Sequence, residues 1–268
     1  MPPAYHELRP SPRLARYVEC YWSREEGQGT PSHCILPDGC VDILFSTQNR
    51  EPVSLTVIGL MTTPLRVDLT AGLSMFGVRF RPGMAEAFFR QAAVLSDRTE
   101  PLENFWGSAA RLLSERLAEA AGPQHMAGIM EESLRPLEPP DSVRRVLWHL
   151  SDSALPLDRL ISESGLSARH FRRECLARTG VSPKYLRRIL RFRATVERIR
   201  AVALNPAQPS WAQLAAACNY YDQAHFIHDF QEFAGSTPGR FLQSLRTQSG
   251  LESKNDEPSE TRKSNRLH

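Results

Sequence analysis

The spacing of apolar residues changes character twice along this chain of 268 residues. Up to about residue 82 the apolar stretches are short and bounded by Gly or Pro, the grammar of strands. Tyr17 to Ser23, Cys34 to Leu36, Val41 to Phe45, Val53 to Leu60, Leu65 to Leu69 and Met75 to Phe80 read this way. Pro37-Asp38-Gly39 is a turn between two of them, because Pro presets one dihedral and Gly supplies the other. The pattern predicts a β-rich sandwich or barrel. From Gly83 the period lengthens. Met84 to Ala92 and Ala127 to Leu134 read as helices, and Leu102 to Ala121 as a longer one with Phe105, Trp106, Ala109, Leu112, Leu113 and Leu117 along one side. Pro136, Pro139 and Pro140 mark a boundary, since Pro lacks an amide donor and restricts the residue before it. Ser142 to Leu150 then opens an all-helical second half. The fold class expected is α+β, with a front domain over 1–136, a helical domain over 141–247 and a polar, disordered tail over 248–268.

The second half says the same thing twice. Leu157, Leu160 and Ile161 form a helical apolar stripe, Gly165 stands where the chain turns, and Ser167 is an N-cap. Phe171 and Cys175 follow on an inner face, with Arg169, Arg172 and Arg173 on the outer one. Further on, Trp211, Leu214 and Ala215 make the stripe, Asn219 takes the glycine's place, and Asp222 is the cap. Phe226, Phe230 and Phe233 then point inward, leaving Gln223, Ala224, Ile227 and His228 outward. Each copy closes on a similar loop, Thr179-Gly180-Val181-Ser182-Pro183 and Ala234-Gly235-Ser236-Thr237-Pro238. The bland alternative is a helical bundle with arginines on its wet face. Two copies with turn and cap in register favour a repeated helix-turn-helix, and therefore DNA binding.

The stretch resembles the DNA-binding domain of the AraC/XylS family of bacterial transcription regulators. Gly165-Leu166-Ser167, Gly180-Val181-Ser182-Pro183-Lys184, the run Arg187 to Ala194 and Tyr221-Asp222-Gln223-Ala224-His225-Phe226 carry the likeness over about a third of the chain. It implies two helix-turn-helix subdomains joined by a long helix, each placing a recognition helix in adjacent major-groove segments. The front half, through the run His33 to Phe45 and Gly77 to Gly83, resembles the N-terminal domains of one poorly characterised AraC-type subgroup. That likeness implies a regulatory, sensing role and names no ligand.

The net charge is only +3, so basicity is local rather than global. Residues 157–205 hold twelve Arg and Lys against four Asp and Glu, whereas residues 206–247 hold two against three. An excess of cations suits phosphate contact. Ser167, Arg169, His170, Arg172 and Arg173 stand near the front of the first recognition helix, where a groove-bound helix meets base edges. Arginine pairs bidentately with guanine, although any one of these arginines serves a phosphate equally well. Lys184 and Arg188 fit backbone positioning. In the second copy, the resemblance places Gln223 and His228 at base-contacting positions, with Ala224 and Ile227 as outward candidates beside them, and Gln suits adenine. It also shows a departure: His228, Gln231 and Glu232 stand where basic residues are common. The expectation is a first motif that anchors and a second that adds weaker, conditional contacts.

Other chemistry is thinner. His33, Cys34, Cys40 and Asp42 include metal-ligand types, but no tight pair spacing supports a site, so no metal and no cofactor are expected. Asp38 and Asp42 near one turn fit amide capping better than acid–base work. Trp22, Phe45 and Trp106 fit either a ligand pocket or simple core. Five cysteines without a CxxC pair fit reduced thiols in a cytoplasm, and Cys175 fits packing better than oxidant sensing. No early apolar run is long enough for a signal peptide or a membrane span. The expected partners are double-stranded DNA and RNA polymerase. An unidentified small-molecule effector is left open, as is a homodimer through the helix at Leu102 to Ala121. The protein is read as a regulator and not an enzyme. The competing readings are a DNA-binding module fused to a thiol-reactive, enzymatic front domain, and an interaction adaptor with a degenerate DNA domain.

Overall fold

A computed structural model describes residues 4–25, 33–67, 70–89, 92–137, 141–152, 155–203 and 209–248. The polar tail expected over 248–268 lies almost wholly outside them. The front half is built on an antiparallel sheet of six strands, β1 (Ala4–Leu8), β2 (Val18–Glu25), β4 (Val41–Gln48), β5 (Glu51–Ile58), β7 (Leu73–Phe80) and β8 (Thr99–Pro101). Their order is β1-β2-β7-β4-β5-β8, and β3 (His33–Ile35) pairs with β6 (Leu65–Val67) as a separate two-stranded piece. The alternation in β4 reaches the core directly: Val41, Ile43 and Phe45 are buried at every second position. The turn at Pro37-Asp38-Gly39 is present, with Gly39 left-handed and the Asp38 carboxylate accepting from the Cys40 amide at 2.9 Å. It does not fold a hairpin, because β3 leaves the sheet to pair with β6.

Two predicted helices are corrected. In place of a helix from Met84, the described residues 84–89 form one short 3₁₀ turn, Ala85–Ala87, and a second, Ala92–Leu95, starts where the expected helix was to end. Leu102 to Ala121 breaks at Gly107, a left-handed residue, into α1 (Glu103–Trp106) and α2 (Ser108–Ala118). The break turns the apolar side. Ala110, Leu113 and Leu117 go inward, while Leu112, expected on that side, is 61% exposed. With α3 (Pro123–Ser133), α2 covers the sheet. Glu131 of α3 ties down the start of the chain, accepting from the Ser11 amide at 2.9 Å, the Ser11 hydroxyl at 2.6 Å and the Tyr21 hydroxyl at 2.9 Å.

Among the described residues seven helices follow: α4 (Ser142–Asp152), α5 (Leu157–Glu163), α6 (Ala168–Thr179), α7 (Pro183–Ala203), α8 (Trp211–Ala217), α9 (Gln223–Ala234) and α10 (Pro238–Gln248). They share one buried apolar cluster with the sheet, running from Leu14 to Leu242. The junction is packed and charged. Arg144 of α4 is buried and paired with Glu86, and Arg81 lies over the Trp148 ring at 4.9 Å. Leu186 and Leu190 of α7 lie against the Gly39 turn. Farther along α7, Arg193 pairs with Glu19 of β2 and reaches the Cys40 sulfur at 3.3 Å. Ser96 donates to the Thr179 carbonyl at 3.1 Å, bracing the loop after α6.

These buried pairs set the acid response. Burial alone would lift Glu19, Glu131, Asp141, which pairs with Arg178 at 2.7 Å, and Asp229, which pairs with Arg188 and Arg191, but hydrogen bonds and arginine charge outweigh it and hold all four below the usual carboxylate range. Their stabilisation is present above the unfolded-chain values of about 4 and is lost as pH falls through the lower folded values. Asp42 has the opposite sign: burial lifts it to about 6 against the pull of Arg79, so its penalty fades as pH falls from above 6 to about 4. The urea midpoint is therefore expected to fall steeply only below about pH 4. A midpoint that holds steady down to pH 3 contradicts the ion pairs described above.

Candidate nucleic-acid interface

The first unit is α5 and α6. Leu160 and Ile161 bury the inner face of α5. The chain then turns at Gly165, whose φ of +73° is cheap for glycine. Ser167 is extended and accepts from the His170 amide at 3.2 Å, satisfying an amide that the first turn of α6 leaves free. Phe171, Cys175 and Thr179 fill the inner face. Arg169, Arg172 and Arg173 are exposed on the other. Arg173 is already engaged, donating to Glu174 at 3.1 Å and meeting His170 Nδ1 at 3.0 Å. Among the described residues Arg169 and Arg172 make no ion pair. Both guanidinium forks are therefore available.

The second unit, α8 and α9, is built the same way. Asn219 takes the left-handed turn with φ of +59°, and Asp222 accepts from the His225 amide at 2.7 Å. Phe226, Phe230 and Phe233 are fully buried, and Gln223, Ala224 and His228 are exposed. Ile227 departs from expectation: it is half-buried and packs against the core, so only its edge faces out. Sequence reasoning passed over Tyr221, which is 92% exposed beside the cap. As the residue just before an N-cap it carries no helical periodicity to mark it. The correspondence extends past each unit. Gly180 and Gly235 end α6 and α9 in left-handed conformations. Ser182 then accepts from the Tyr185 amide and Thr237 from the Arg240 amide, both at 3.3 Å.

Between the units lies a groove formed by α7 and α9 and lined by Lys184, Arg187, Arg188, Arg191, His225, His228, Asp229 and Glu232. Lys184 is exposed, as a backbone-positioning residue must be. Arg188 is not free. Its Nη2 donates to Asp229 at 2.8 Å and to Glu232 at 2.5 Å, and its guanidinium lies over the rings of Tyr185 and Phe233. Arg191 donates to the other Asp229 oxygen at 2.7 Å. Asp229 is 2% exposed, and nothing in the helical pattern distinguishes it from a surface acid until α7 is seen to lie over it.

Residues 160–244 match the model of a helix-turn-helix domain, and residues 6–100 match that of a domain of unknown function (DUF6597). The C-terminal domain is an AraC-type helix-turn-helix domain. Its work is DNA-binding transcription regulation. Among solved structures, the chain has a distant similarity to ToxT from Vibrio cholerae O395, at 10% identity and a TM-score of 0.40 over 91% of this chain and 97% of that one. An unsaturated fatty acid-bound ToxT from strain SCE256 gives 9% and 0.39, over 90% and 94%. The xylose-binding transcription activator xylR gives 12% and 0.28, over 50% and 39%. No curated protein matches.

Asp42 and Asp38 converge on Arg79, at 3.2 and 3.5 Å, rather than on a shared metal position with the thiols. His228, Asp229 and Glu232 place donor atoms within 4.8 Å of one another, but Arg188 and Arg191 already neutralise both carboxylates, a poor setting for a cation. Of the three aromatics considered for a pocket, Phe45 lines a cavity of about 520 Å³ between the sheet and the α2–α3 region. Trp106 lines a second cavity, of about 620 Å³, where it stacks on Phe89 and donates to the Phe88 carbonyl at 3.2 Å, and Trp22 stacks on Tyr5. No helix among the described residues is long and apolar enough to cross a membrane.

Proposed function

We propose that the protein binds promoter DNA sequence-specifically, with α6 and α9 entering adjacent major-groove segments, and that the front domain gates this binding. The observation that carries the reading is the cap-for-cap match of the two units across a single unbroken helix. At 21 residues, α7 is about 30 Å long, of the same order as the roughly 34 Å between successive turns of a DNA groove. In this reading Arg169 and Arg172 read bases, Ser167, His170 and Arg173 set the front of α6 against the backbone, and Lys184 holds a phosphate. Gln223, Ala224 and His228 form the second reading face, with Ile227 contributing an apolar edge. The division into a sensing domain over 1–136 and a reading domain over 141–247 belongs to the same proposal.

Gating is supported by the contacts on α7. Glu19, the Gly39 turn and Ser96 all brace the helix, or the loop before it, that links the two heads. A small-molecule effector fits the cavity at Phe45, whose size is in the usual range for ligand sites. RNA polymerase is the natural partner of a protein seated at a promoter. A homodimer through α2 loses support, because most of its apolar side is internal core.

The test is selection of bound sequences from a random DNA pool by the full chain at near-physiological salt. Two motifs about one helical turn apart are expected. A single short motif restricts base reading to α6, and no enriched motif overturns the proposal.

The thiol-reactive reading of the front domain makes a contrary claim. Burial pushes Cys20 up to about 12 and Cys175 up to about 11, and lifts Cys40 as well. Such thiols are protonated at neutral pH and poor nucleophiles. Cys34 alone among the five is exposed. Titration of the native chain with an alkylating probe is expected to modify one cysteine, Cys34, at the rate of an ordinary exposed thiol. A fast, stoichiometric reaction at Cys40 revives the enzymatic reading.

A further inference from the structure

The groove between α7 and α9 carries a second, chain-specific consequence. Four cations line it, Lys184, Arg187, Arg188 and Arg191, and two carboxylates sit among them. The carboxylates are not equivalent. Asp229 is buried beneath Arg188 and Arg191 and holds α9 on α7. Glu232 is on the rim, 37% exposed, and takes the outer edge of the Arg188 fork at 2.5 and 3.3 Å. The fork itself is already aimed: Tyr185 and Phe233 hold its plane, and Asp229 holds its inner edge. A planar guanidinium fixed in this way is a ready seat for a phosphate, with a carboxylate occupying it.

We propose that this groove is a phosphodiester site kept closed by Glu232, which a DNA backbone phosphate displaces from Arg188. The inference rests on the DNA-binding reading above. Glu232 is the group displaced, because a rim carboxylate regains water on leaving, whereas Asp229 would be stranded as a buried charge. Each encounter with DNA therefore exchanges one internal ion pair for one phosphate contact, and the groove binds less firmly than the α7 arginines alone would allow. Glu232 acts through Arg188 and is a positioning residue, not a base reader.

The experiment measures binding of a fixed 40-base-pair duplex of scrambled sequence by the full chain, over a range of salt. Glu232→Gln is expected to tighten binding about 3- to 10-fold with the slope of log K against log salt unchanged, since the same phosphate is neutralised in both chains but no ion pair is broken first. Arg188→Gln in the same chain is expected to abolish the gain and to lower the slope by about one. Glu197→Gln, which removes the same charge from an exposed position on α7 outside the groove, is expected to give a clearly smaller gain. If Glu232 only fastens α9, Glu232→Gln binds equally or more weakly, and the proposal fails. Inorganic phosphate supplies a DNA-free arm. It is expected to raise the melting temperature of the Glu232→Gln chain more than that of the parent, and no more for the double variant with Arg188→Gln. A chain that binds no duplex but shows this phosphate response retains the site and loses the DNA-binding reading. Equal phosphate responses in parent and variant remove the site.

Discussion

A chain carrying both Arg169→Ala and Arg172→Ala is expected to lose between about 30-fold and about 10⁴-fold in affinity for its selected duplex. Each good bidentate contact to guanine is worth about 1–3 kcal/mol, and the two side chains are three positions apart on one face of α6. They are the arginines of that helix with no ion pair among the described residues, so nothing inside the protein need be broken before they meet DNA. Arg173 is different, because Glu174 and His170 already hold it, and Arg173→Ala is expected to cost clearly less. Gln223→Ala is expected to fall between the two. Fluorescence anisotropy at fixed salt, on the selected duplex and on versions altered at single base pairs, separates the roles. A base contact relaxes preference at one position, while a phosphate contact weakens all duplexes alike and lowers the salt slope. If the double variant binds as well as the parent while Gln223→Ala abolishes binding, the order of the two heads is reversed.

Gly180→Ala is expected to destabilise the folded chain by about 2–4 kcal/mol, against about 1–2 kcal/mol for Gly165→Ala. The two glycines form a built-in comparison. Their φ values are +75° and +73°, so the left-handed strain on an added methyl is the same. Their surroundings are not. A methyl at Gly165 meets nothing within 4 Å, whereas one at Gly180 runs into the Ser96 hydroxyl and comes to 2.8 Å from the Ala93 carbonyl oxygen. Ser96 can rotate away only by giving up its bond to the Thr179 carbonyl, and the Ala93 backbone has no rotamer to change. The difference between the two substitutions is therefore a measure of how tightly the front domain grips the loop between α6 and α7. Urea denaturation with matched slopes reads it. Equal losses at the two positions mean that the front domain does not bear on that loop in solution.

Most of the reading domain was legible in the sequence, because its signals are local. Turn glycines, an asparagine able to go left-handed, and short polar caps each act within four residues, and Ser167 and Asp222 cap as their identities require. The front domain was legible in its strands but not in their pairing. Only long-range register places β7 between β2 and β4, and sends β3 to β6 instead of folding back at Pro37-Asp38-Gly39. The helix expected at Met84 to Ala92 failed for the same reason: Phe88 and Phe89 are both drawn into the core against Phe80, which a regular helix with one inward face does not supply. At the candidate interface the outer faces were visible, but the state of their charges was not. That Arg169 has no ion pair among the described residues while Arg188 is occupied depends on which helix lies over which, and Asp229 and Glu232 are 41 and 44 residues away from the arginine they hold.

The buried seam at α4 bears on how such a protein can change over evolutionary time. Arg144 of α4 pairs with Glu86 on the other side of the seam, and Leu147 lies against the backbone of Gly83. A chimaera that joins this helical half to a foreign front half inherits a buried arginine without Glu86 and an apolar side chain without the backbone it packs on. If the front half gates binding as proposed, new sensing specificity is more readily gained by altering the residues around its cavity than by exchanging it, because the two halves recombine intact only together.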